Sequence, residues 1–245
     1  MLIFVFNIFA NIENMHYLRL ITILIVTIWH SILVIVHLVF AKKPDFHRYA
    51  RRWAKKLLRI ARIQIKIEGI ENINPNETYI FVANHSSLFD IPVLQASIPN
   101  DFRIIYKKEL EKVPIFGYGL KKSPYIGIVR EDPRQSMQSV EQAILTIQNG
   151  ASVLVFPEGT RTKDGNLGEP HRGAFRLATR SEKPIVPIAI KGTYEILSNG
   201  ISGIKPRTVR LKIGQPIHKM PQNRVEEVAL QNETWDIIKK FLAEM

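Results

Sequence analysis

The chain has 245 residues, a formal net charge of +12 and no cysteine. This length is enough for one substantial domain with a buried core, and the lack of cysteine excludes a thiol nucleophile, disulfides and thiolate metal sites. The positive charge indicates an anionic partner, which means nucleic acid, a membrane surface or an acidic substrate.

The N-terminal part of the chain contains an apolar stretch, residues 20–41, without Asp, Glu, Lys or Arg. A helix of that length matches the roughly 30 Å hydrocarbon core of a bilayer. Arg19 stands alone on one flank whereas cations crowd the other flank, so the positive-inside rule predicts that the downstream domain faces the cytoplasm. The sequence therefore predicts a protein of the inner or cytoplasmic membrane, and it leaves open whether the helix spans the bilayer or enters one leaflet.

A basic amphipathic helix is predicted next, within residues 42–62. This stretch holds nine Lys or Arg and a single acid, Asp45. Trp53, Leu57 and Ile60 recur at helical spacing, and cations fill the other face. Such a helix suits an anionic bilayer surface, or its apolar stripe packs on the following domain, and the sequence allows both. We treat residues 1–62 as an N-terminal anchoring unit.

A His–Asp pair follows the first predicted buried strand. A short apolar run before Asn84 predicts that strand, and Asn84 and Ser86 are good N-cap residues for a helix over residues 88–96. His85 would then lie at the mouth of a strand-to-helix turn, with Asp90 about one turn into the helix. A carboxylate there fixes the tautomer of the imidazole and stabilises its positive charge. The pair is the base-and-orienter half of a catalytic triad, which would activate a hydroxyl group brought by the substrate.

A second loop of chemical interest follows the apolar strand predicted at residues 152–155. It begins Phe156-Pro157-Glu158-Gly159-Thr160-Arg161. Gly159 permits a positive φ or a close backbone approach, and Arg161 offers a two-pronged donor to a phosphate or carboxylate. Glu158 is a candidate to hold that guanidinium or a substrate hydroxyl. Loops that follow strands are where α/β enzymes bind ligands.

Further strands complete the expected domain. A strand over residues 103–106 leads into Lys107, and a later one ends on Arg130. The apolar run around Pro187 predicts a strand at a sheet edge or a distorted one, because proline cannot donate to a ladder. Strands and helices alternate over residues 63–245, so we expect an α/β domain with a mixed β-sheet flanked by helices.

Four blocks in this order resemble the glycerolipid acyltransferase family, in particular the bacterial 1-acyl-sn-glycerol-3-phosphate acyltransferases. The blocks are residues 84–90, 107–130, 156–161 and 186–187. The third block matches the family pattern at every position. Two positions depart from the pattern: Val129 stands where the family often has Asp, and residues 170–175 lack the usual Phe-Lys pair.

The resemblance implies a glycerol-3-phosphate acyltransferase-like fold and a particular reaction. An acyl group passes from acyl-CoA or acyl-ACP (acyl carrier protein) to the sn-2 hydroxyl of 1-acyl-sn-glycerol 3-phosphate (lysophosphatidic acid), which gives phosphatidic acid for phospholipid synthesis. His85 would be the base and Asp90 its orienting carboxylate. The implied substrate-binding residues are Glu158, Gly159, Thr160, Arg161, Lys107 and Arg130. No metal or other cofactor is expected, because the thioester is already activated.

Two alternatives stay open at this point. The nearer one keeps the chemistry and changes the acceptor to glycerol 3-phosphate, another lysophospholipid or a lyso-aminolipid. The other is a basic membrane-surface or nucleic-acid-binding protein with an inactive fold, against which the retained His85 and Arg161 argue. The expected partners are thus lysophosphatidic acid, the acyl thioester, acyl carrier protein and anionic membrane lipids, without nucleic acid.

Overall fold

The computed structural model describes residues 2–40, 45–129, 133–197 and 204–245, in which strands and helices alternate. The helices are α1 (Leu2–Phe40), α2 (Phe46–Ala61), α3 (Asp90–Ser97), α4 (Phe116–Lys122), α5 (Pro133–Gln148), α6 (Gly173–Ser181) and α7 (Arg224–Glu244). The strands are β1 (Gln64–Glu68), β2 (Ile80–Ala83), β3 (Phe102–Lys107), β4 (Ile126–Ile128), β5 (Ser152–Val155), β6 (Ile185–Lys191) and β7 (Thr208–Ile213).

All of these strands form one sheet in the order β1-β7-β6-β2-β5-β3-β4. Neighbouring strands run parallel except β6 and β7, which are antiparallel. The mixed sheet predicted from the sequence is confirmed. Because β2, β3, β5 and β6 are parallel, their carboxyl ends meet at one edge of the sheet, which is where ligands bind in open α/β folds.

Pro187 lies inside the sheet, because β6 has β7 on one side and β2 on the other. The edge position, one of the two alternatives predicted for this strand, is therefore wrong. The antiparallel ladder begins at Ile188 opposite Ile213, where β7 ends. The Pro187 carbonyl accepts from the Gly214 N–H at 2.8 Å. Proline has no N–H to donate on that side, and the antiparallel pairing resumes at Ile185, which exchanges two backbone hydrogen bonds with Ile217.

Helices cover both faces of the sheet. On one face α2 and α3 pack against the strands, with Leu57 and Leu94 buried among the sheet residues. On the other face α5, α6 and α7 contribute Ile147, Phe175 and Ile238 to a second buried cluster. The central strands β2 and β5 are buried along their whole length, and so is β6 up to Ile190, as expected where helices cover both faces of a sheet.

Helix α3 begins later than predicted, at Asp90, and neither Asn84 nor Ser86 caps it. Phe89 precedes the helix and makes no side-chain capping bond. Pro92 lies in the first turn, where its missing N–H would have no partner within the helix. The polar side chains before α3 are engaged elsewhere, and their partners define the functional site described below.

Helix α1 is long and apolar enough over Met15–His37 to cross a membrane. Its outward side chains include Leu18 and Ile25, each 62% exposed. The helix is tied to the domain near its exposed segment, because His16 Nδ1 lies 2.8 Å from the carbonyl oxygen of Ile204. Exposing so many apolar side chains to water is unfavourable. Helix α1 therefore fits membrane association.

Helix α2 is amphipathic as predicted, and its apolar stripe is buried against the domain. Leu57 and Leu58 are buried, and Trp53 Nε1 donates to Thr27 Oγ1 of α1 at 3.2 Å. The exposed cations of the opposite face are Arg48, Arg52, Lys55, Lys56, Arg59 and Arg62. The stripe packs on the domain, which leaves only the charged face of α2 turned outward.

Candidate active site

His85 and Asp90 lie together at the carboxyl end of β2. His85 Nδ1 is 2.7 Å from Asp90 Oδ2, which is hydrogen-bond distance. With Nδ1 donating to the carboxylate, Nε2 carries the free lone pair of a base. The imidazole also stacks on the Phe156 ring, with centroids 4.0 Å apart and planes at 17°. An aromatic face in that position favours the imidazolium that forms when the base takes up a proton.

Asp90 also holds the turn that carries His85. Its side chain is fully buried, and Oδ2 accepts from the backbone N–H groups of Ser86 at 2.7 Å and Ser87 at 2.8 Å. One carboxylate oxygen thus serves both the imidazole and the backbone beside it. The carboxylate therefore stabilises the turn at residues 86–87, and α3 begins only at Asp90.

Glu158, at the end of β5, holds the backbone of the base. Its Oε1 accepts from the His85 N–H at 2.6 Å and its Oε2 from the Gly168 N–H at 2.8 Å. Burial raises the pKa of Glu158, and the two N–H donors act against that rise. Within the described part of the chain, no ion pair joins this carboxylate to Arg161. Its observed contacts therefore position His85.

Two further side-chain contacts fasten β2 to β6. Asn84 Nδ2 donates to the Ile190 carbonyl at 2.9 Å, and Asn84 Oδ1 accepts from the Ile190 N–H at 2.7 Å. Ser86 Oγ lies 2.9 Å from Thr193 Oγ1, and Ser87 Oγ accepts from a backbone N–H two residues on. No hydrogen bond joins either serine hydroxyl to the imidazole in the described residues. The site thus has a base without a protein nucleophile beside it.

A cleft of about 310 Å³ opens beside the dyad. His85 and Glu158 form one part of its wall, Tyr194 another, and Lys239 and Leu242 of α7 a third. Its volume is near the lower limit for small-molecule sites. A substrate bound there would lie against the imidazole.

The other predicted residues of the loop after β5 are Gly159, Thr160 and Arg161, and this loop lies next to the dyad. Gly159 has φ of +70° and a Cβ added there would lie 3.2 Å from His171 Cδ2, so the turn favours glycine. Thr160 and Arg161 are exposed. The Arg161 guanidinium forms no hydrogen bond or ion pair with any described residue. The loop is tied back to the base by the Thr162 N–H, which donates to the His85 carbonyl at 3.0 Å.

The structure describes the second block, residues 107–130, only up to residue 129. Lys107 ends β3 at the same sheet edge, is exposed, and lies 3.9 Å from Glu109. Arg130 falls outside the described residues. Gly168 and Thr193 support the dyad but were not predicted, because their contribution is a backbone N–H or a hydroxyl supplied by a loop far along the chain. Such contacts have no local sequence signal.

A base oriented by a buried carboxylate, with no protein nucleophile beside it in the described residues, indicates the class of enzymes whose base takes a proton from the substrate itself. Comparison with known families agrees with this class. The Acyltransferase family model matches residues 64–191, which include both members of the dyad and the Gly159 loop. The chain belongs to this acyltransferase family, as the resemblance indicated.

Individual relatives carry more specific names. The chain is 36% identical to the chloroplastic 1-acyl-sn-glycerol-3-phosphate acyltransferase LPAT1 of Arabidopsis thaliana over 72% of this chain and 50% of the relative. It is 25% identical to the 1-acyl-sn-glycerol-3-phosphate acyltransferase of Pseudomonas aeruginosa over 89% and 86% of the two chains. The crystal structure of the 1-acyl-sn-glycerophosphate (LPA) acyltransferase PlsC from Thermotoga maritima superposes with a TM-score of 0.80, at 25% identity and 96% coverage of both chains. The chain spans about half the length of the plant relatives.

Proposed function

We propose that this chain transfers a fatty acyl group from a thioester to the sn-2 hydroxyl of 1-acyl-sn-glycerol 3-phosphate and releases phosphatidic acid. The observation that carries the proposal is the 2.7 Å contact between His85 and Asp90 at the carboxyl edge of the sheet. The names of relatives that match nearly the whole chain, in Pseudomonas aeruginosa and Thermotoga maritima, support this acceptor.

The reaction follows from the free lone pair of His85. Nε2 takes the proton of the acceptor hydroxyl as its oxygen attacks the thioester carbonyl, and Asp90 stabilises the imidazolium. The tetrahedral intermediate collapses by breaking the carbon–sulfur bond, and the thiolate leaves with the proton held by His85. The products are the new ester and a free thiol. This chemistry needs no metal or cofactor, because the thioester carbonyl is already activated.

The oxyanion of the intermediate needs preorganised N–H donors. The N–H groups of Ser86 and Ser87 donate to Asp90, and that of Gly159 donates to the Phe156 carbonyl at 3.0 Å. These groups are thus already engaged. The backbone N–H groups of Thr160 and Arg161 form no hydrogen bond to any described residue, and we propose them as the donors of this loop.

The acceptor phosphate would bind the Arg161 guanidinium. That group is exposed and has no partner in the described chain, whereas a two-pronged donor is well suited to a phosphate. Lys107 and Arg130 are the secondary cations of this proposal. The roles of Glu158, Gly159 and Thr160 are to shape the loop around the glycerol and to keep Arg161 near the base.

The setting of the reaction is part of the same proposal. A lysolipid resides in the bilayer, so an enzyme held there by α1 meets its acceptor by diffusion in two dimensions. The cation excess after α1 favours a catalytic domain on the cytoplasmic side of the inner or cytoplasmic membrane. The donor would be acyl-CoA or acyl carrier protein thioester, and anionic lipids would contact the basic face of α2.

A thiol-release assay with an acceptor panel tests the proposal. The purified chain is supplied with acyl-CoA and, in turn, lysophosphatidic acid, glycerol 3-phosphate, lysophosphatidylcholine and a lyso-aminolipid, and the lipid products are identified by mass. We expect the fastest thiol release and a phosphatidic acid product with lysophosphatidic acid. The altered segment at residues 170–175 makes another acceptor the main competing outcome. No thiol release with any acceptor, from acyl-CoA and from acyl carrier protein thioester alike, would contradict an enzymatic role.

Arg161→Lys tests the acceptor phosphate site, because it keeps the charge and removes the two-pronged geometry. A charge-assisted hydrogen bond is worth roughly 1.5–3 kcal/mol, so we expect about a tenfold to hundredfold lower kcat/KM for the acceptor. Thioester hydrolysis by water should fall much less, because water brings no phosphate. Equal loss of both rates would mean that the Arg161 side chain serves the reacting carbonyl or the fold, not the acceptor phosphate.

A further inference from the structure

The segment that follows β3 carries an exposed apolar surface. We call residues 108–122 the β3–α4 segment; it comprises a 3₁₀ turn at Lys108–Lys112 and helix α4. Within it four large apolar residues are between 41% and 51% exposed: Leu110, Val113, Ile115 and Tyr118. Elsewhere in the described domain, exposed residues of this kind are scattered, as at Ile67 or Val225. Four in nine residues form a patch of the kind that marks a contact surface.

The backbone presents one of these residues in a strained conformation. Ile115 has φ of +63° and ψ of −61°, and the Phe116 N–H donates to the Pro114 carbonyl at 2.6 Å. This is a γ-turn with positive φ, which is rare and strained, and a β-branched residue is especially disfavoured there. The turn holds an apolar residue that is 41% exposed, at a cost in free energy.

The charges of the segment are arranged for an anionic partner. Both acids have partners within the domain: Glu109 lies 3.9 Å from Lys107, and Glu111 accepts from the Tyr106 hydroxyl at 3.0 Å. The exposed cations are Lys108, Lys112, Lys121 and Lys122. None of them lies within ion-pair distance of a carboxylate among the described residues. Apolar side chains rimmed by lysines that form no ion pair with a described residue suit a bilayer interface with anionic headgroups.

The patch is next to the membrane helix. Helix α4 packs directly against α1, and the outward side of α1 exposes Leu18, Ile25 and Trp29 among other apolar residues. We propose that the β3–α4 segment is a second bilayer contact, inserted at the headgroup level of an anionic membrane beside α1. It directly follows Lys107, so this contact would hold the sheet edge that carries the active site against the surface where a lipid substrate resides.

A single-cysteine probe tests this contact without turnover. Because the chain has no cysteine, Val113→Cys in the full-length protein can be labelled with a nitrobenzoxadiazole fluorophore, whose emission increases in an apolar environment. Val225→Cys is the matched control, since it replaces another exposed valine, at the start of α7. Both proteins are placed in vesicles of phosphatidylglycerol and phosphatidylcholine, and thermal unfolding establishes that each is folded.

We expect at least a twofold rise in emission at position 113 on addition of vesicles, with quenching by lipids brominated on their acyl chains, and no such change at position 225. Water-like emission at 113, or equal quenching at both positions, would overturn the proposal. An emission rise at 113 that follows protein concentration without vesicles would assign the patch to a second copy of the chain and would also overturn it. Since no substrate is used, failure to acylate lysophosphatidic acid would leave this result unaffected.

Discussion

Oδ2 of Asp90 determines the geometry of the dyad at the scale of single residues. It receives one bond from the imidazole and two from the backbone of the turn that carries that imidazole. Glu158, just after the neighbouring strand β5, accepts a further bond from the His85 N–H. The base is thus held through its ring and through its backbone at the same time, which keeps Nε2 in one position for reaction.

Removing the base should leave the fold intact and abolish most turnover. We expect His85→Ala to lower kcat by about two to four orders of magnitude, as is usual for a positioned general base. Asp90→Asn should be similarly severe, because the imidazole loses its orienting anion. Rates are measured by thiol release, and exposed His218→Ala is the control for loss of a histidine. Wild-type turnover in His85→Ala would contradict the mechanism.

A glycine that does not line the cleft should also affect the base. A Cβ at Gly168 would lie 2.8 Å from Glu158 Oε2, so Gly168→Ala must displace the carboxylate that holds the His85 backbone. We expect kcat to fall about tenfold to hundredfold, as for misplacement of a catalytic group by about 1 Å, with little change in acceptor KM. Gly173→Ala is the matched control, because a Cβ there meets no atom within 4 Å. Equal rates for the two variants would show that Glu158 has no such positioning role.

At the scale of elements, the sequence predicted what local pattern determines. Alternation and apolar runs gave strands that agree with β2 and β5, and the spacing of residues 42–62 gave α2. The edge position, one of the two alternatives for the strand around Pro187, was wrong because the neighbours of a strand depend on sheet order, which no local pattern encodes. Asn84 was predicted as a cap because its type suits caps, whereas its partner Ile190 lies on another strand. The His85–Asp90 dyad was predictable because its members are only five residues apart, so a local pattern encodes their contact.

The α2–α3 contact should make the fold sensitive to acid. Burial lowers the pKa of His47 from its ordinary value of 6.5; Arg51 acts in the same direction, and Asp101, 3.6 Å away, and Asp45 act against it. The Asp101 carboxylate is shared with Arg103, which weakens its effect on the imidazole. The unfolded chain therefore binds the proton more readily, and the stability due to neutral His47 is present above pH 6.5 and is lost as pH falls below it.

This pH dependence is checked by thermal unfolding between about pH 7.5 and 5.5, the range in which an unperturbed histidine titrates. We expect the Tm of the wild type to fall more over this range than that of His47→Gln, which cannot take up a proton at that position. Parallel falls in Tm would assign the acid sensitivity to other groups.

At the scale of the whole molecule, apolar and charged surfaces are segregated between two helices. Helix α1 turns apolar residues outward, whereas α2 buries its stripe and turns only cations outward. Apolar insertion is insensitive to salt, but attraction between exposed charges and anionic lipids is screened. The two helices should therefore contribute to different stages of membrane binding.

We expect the full chain to remain on phosphatidylglycerol vesicles when salt rises from about 0.1 to 1 M, where the Debye length falls from about 10 to 3 Å. Arg52→Gln with Arg59→Gln should slow association at low salt by roughly threefold to tenfold. Arg176→Gln with Arg224→Gln is the control for equal loss of exposed charge. Release of the wild type by salt would show that α1 does not insert.

The position of β1 at the sheet edge has a consequence for synthesis of the chain. Its partner is β7, with Gln64 paired to Thr208, and every other strand lies between them in sequence. The residues that support His85 are also late: Glu158 comes with β5, and Ile190 with β6. Pairings between such distant segments form slowly. During translation α1 leaves the ribosome before the strands that complete the active site are made, so its apolar surface is available to a membrane before the active site exists.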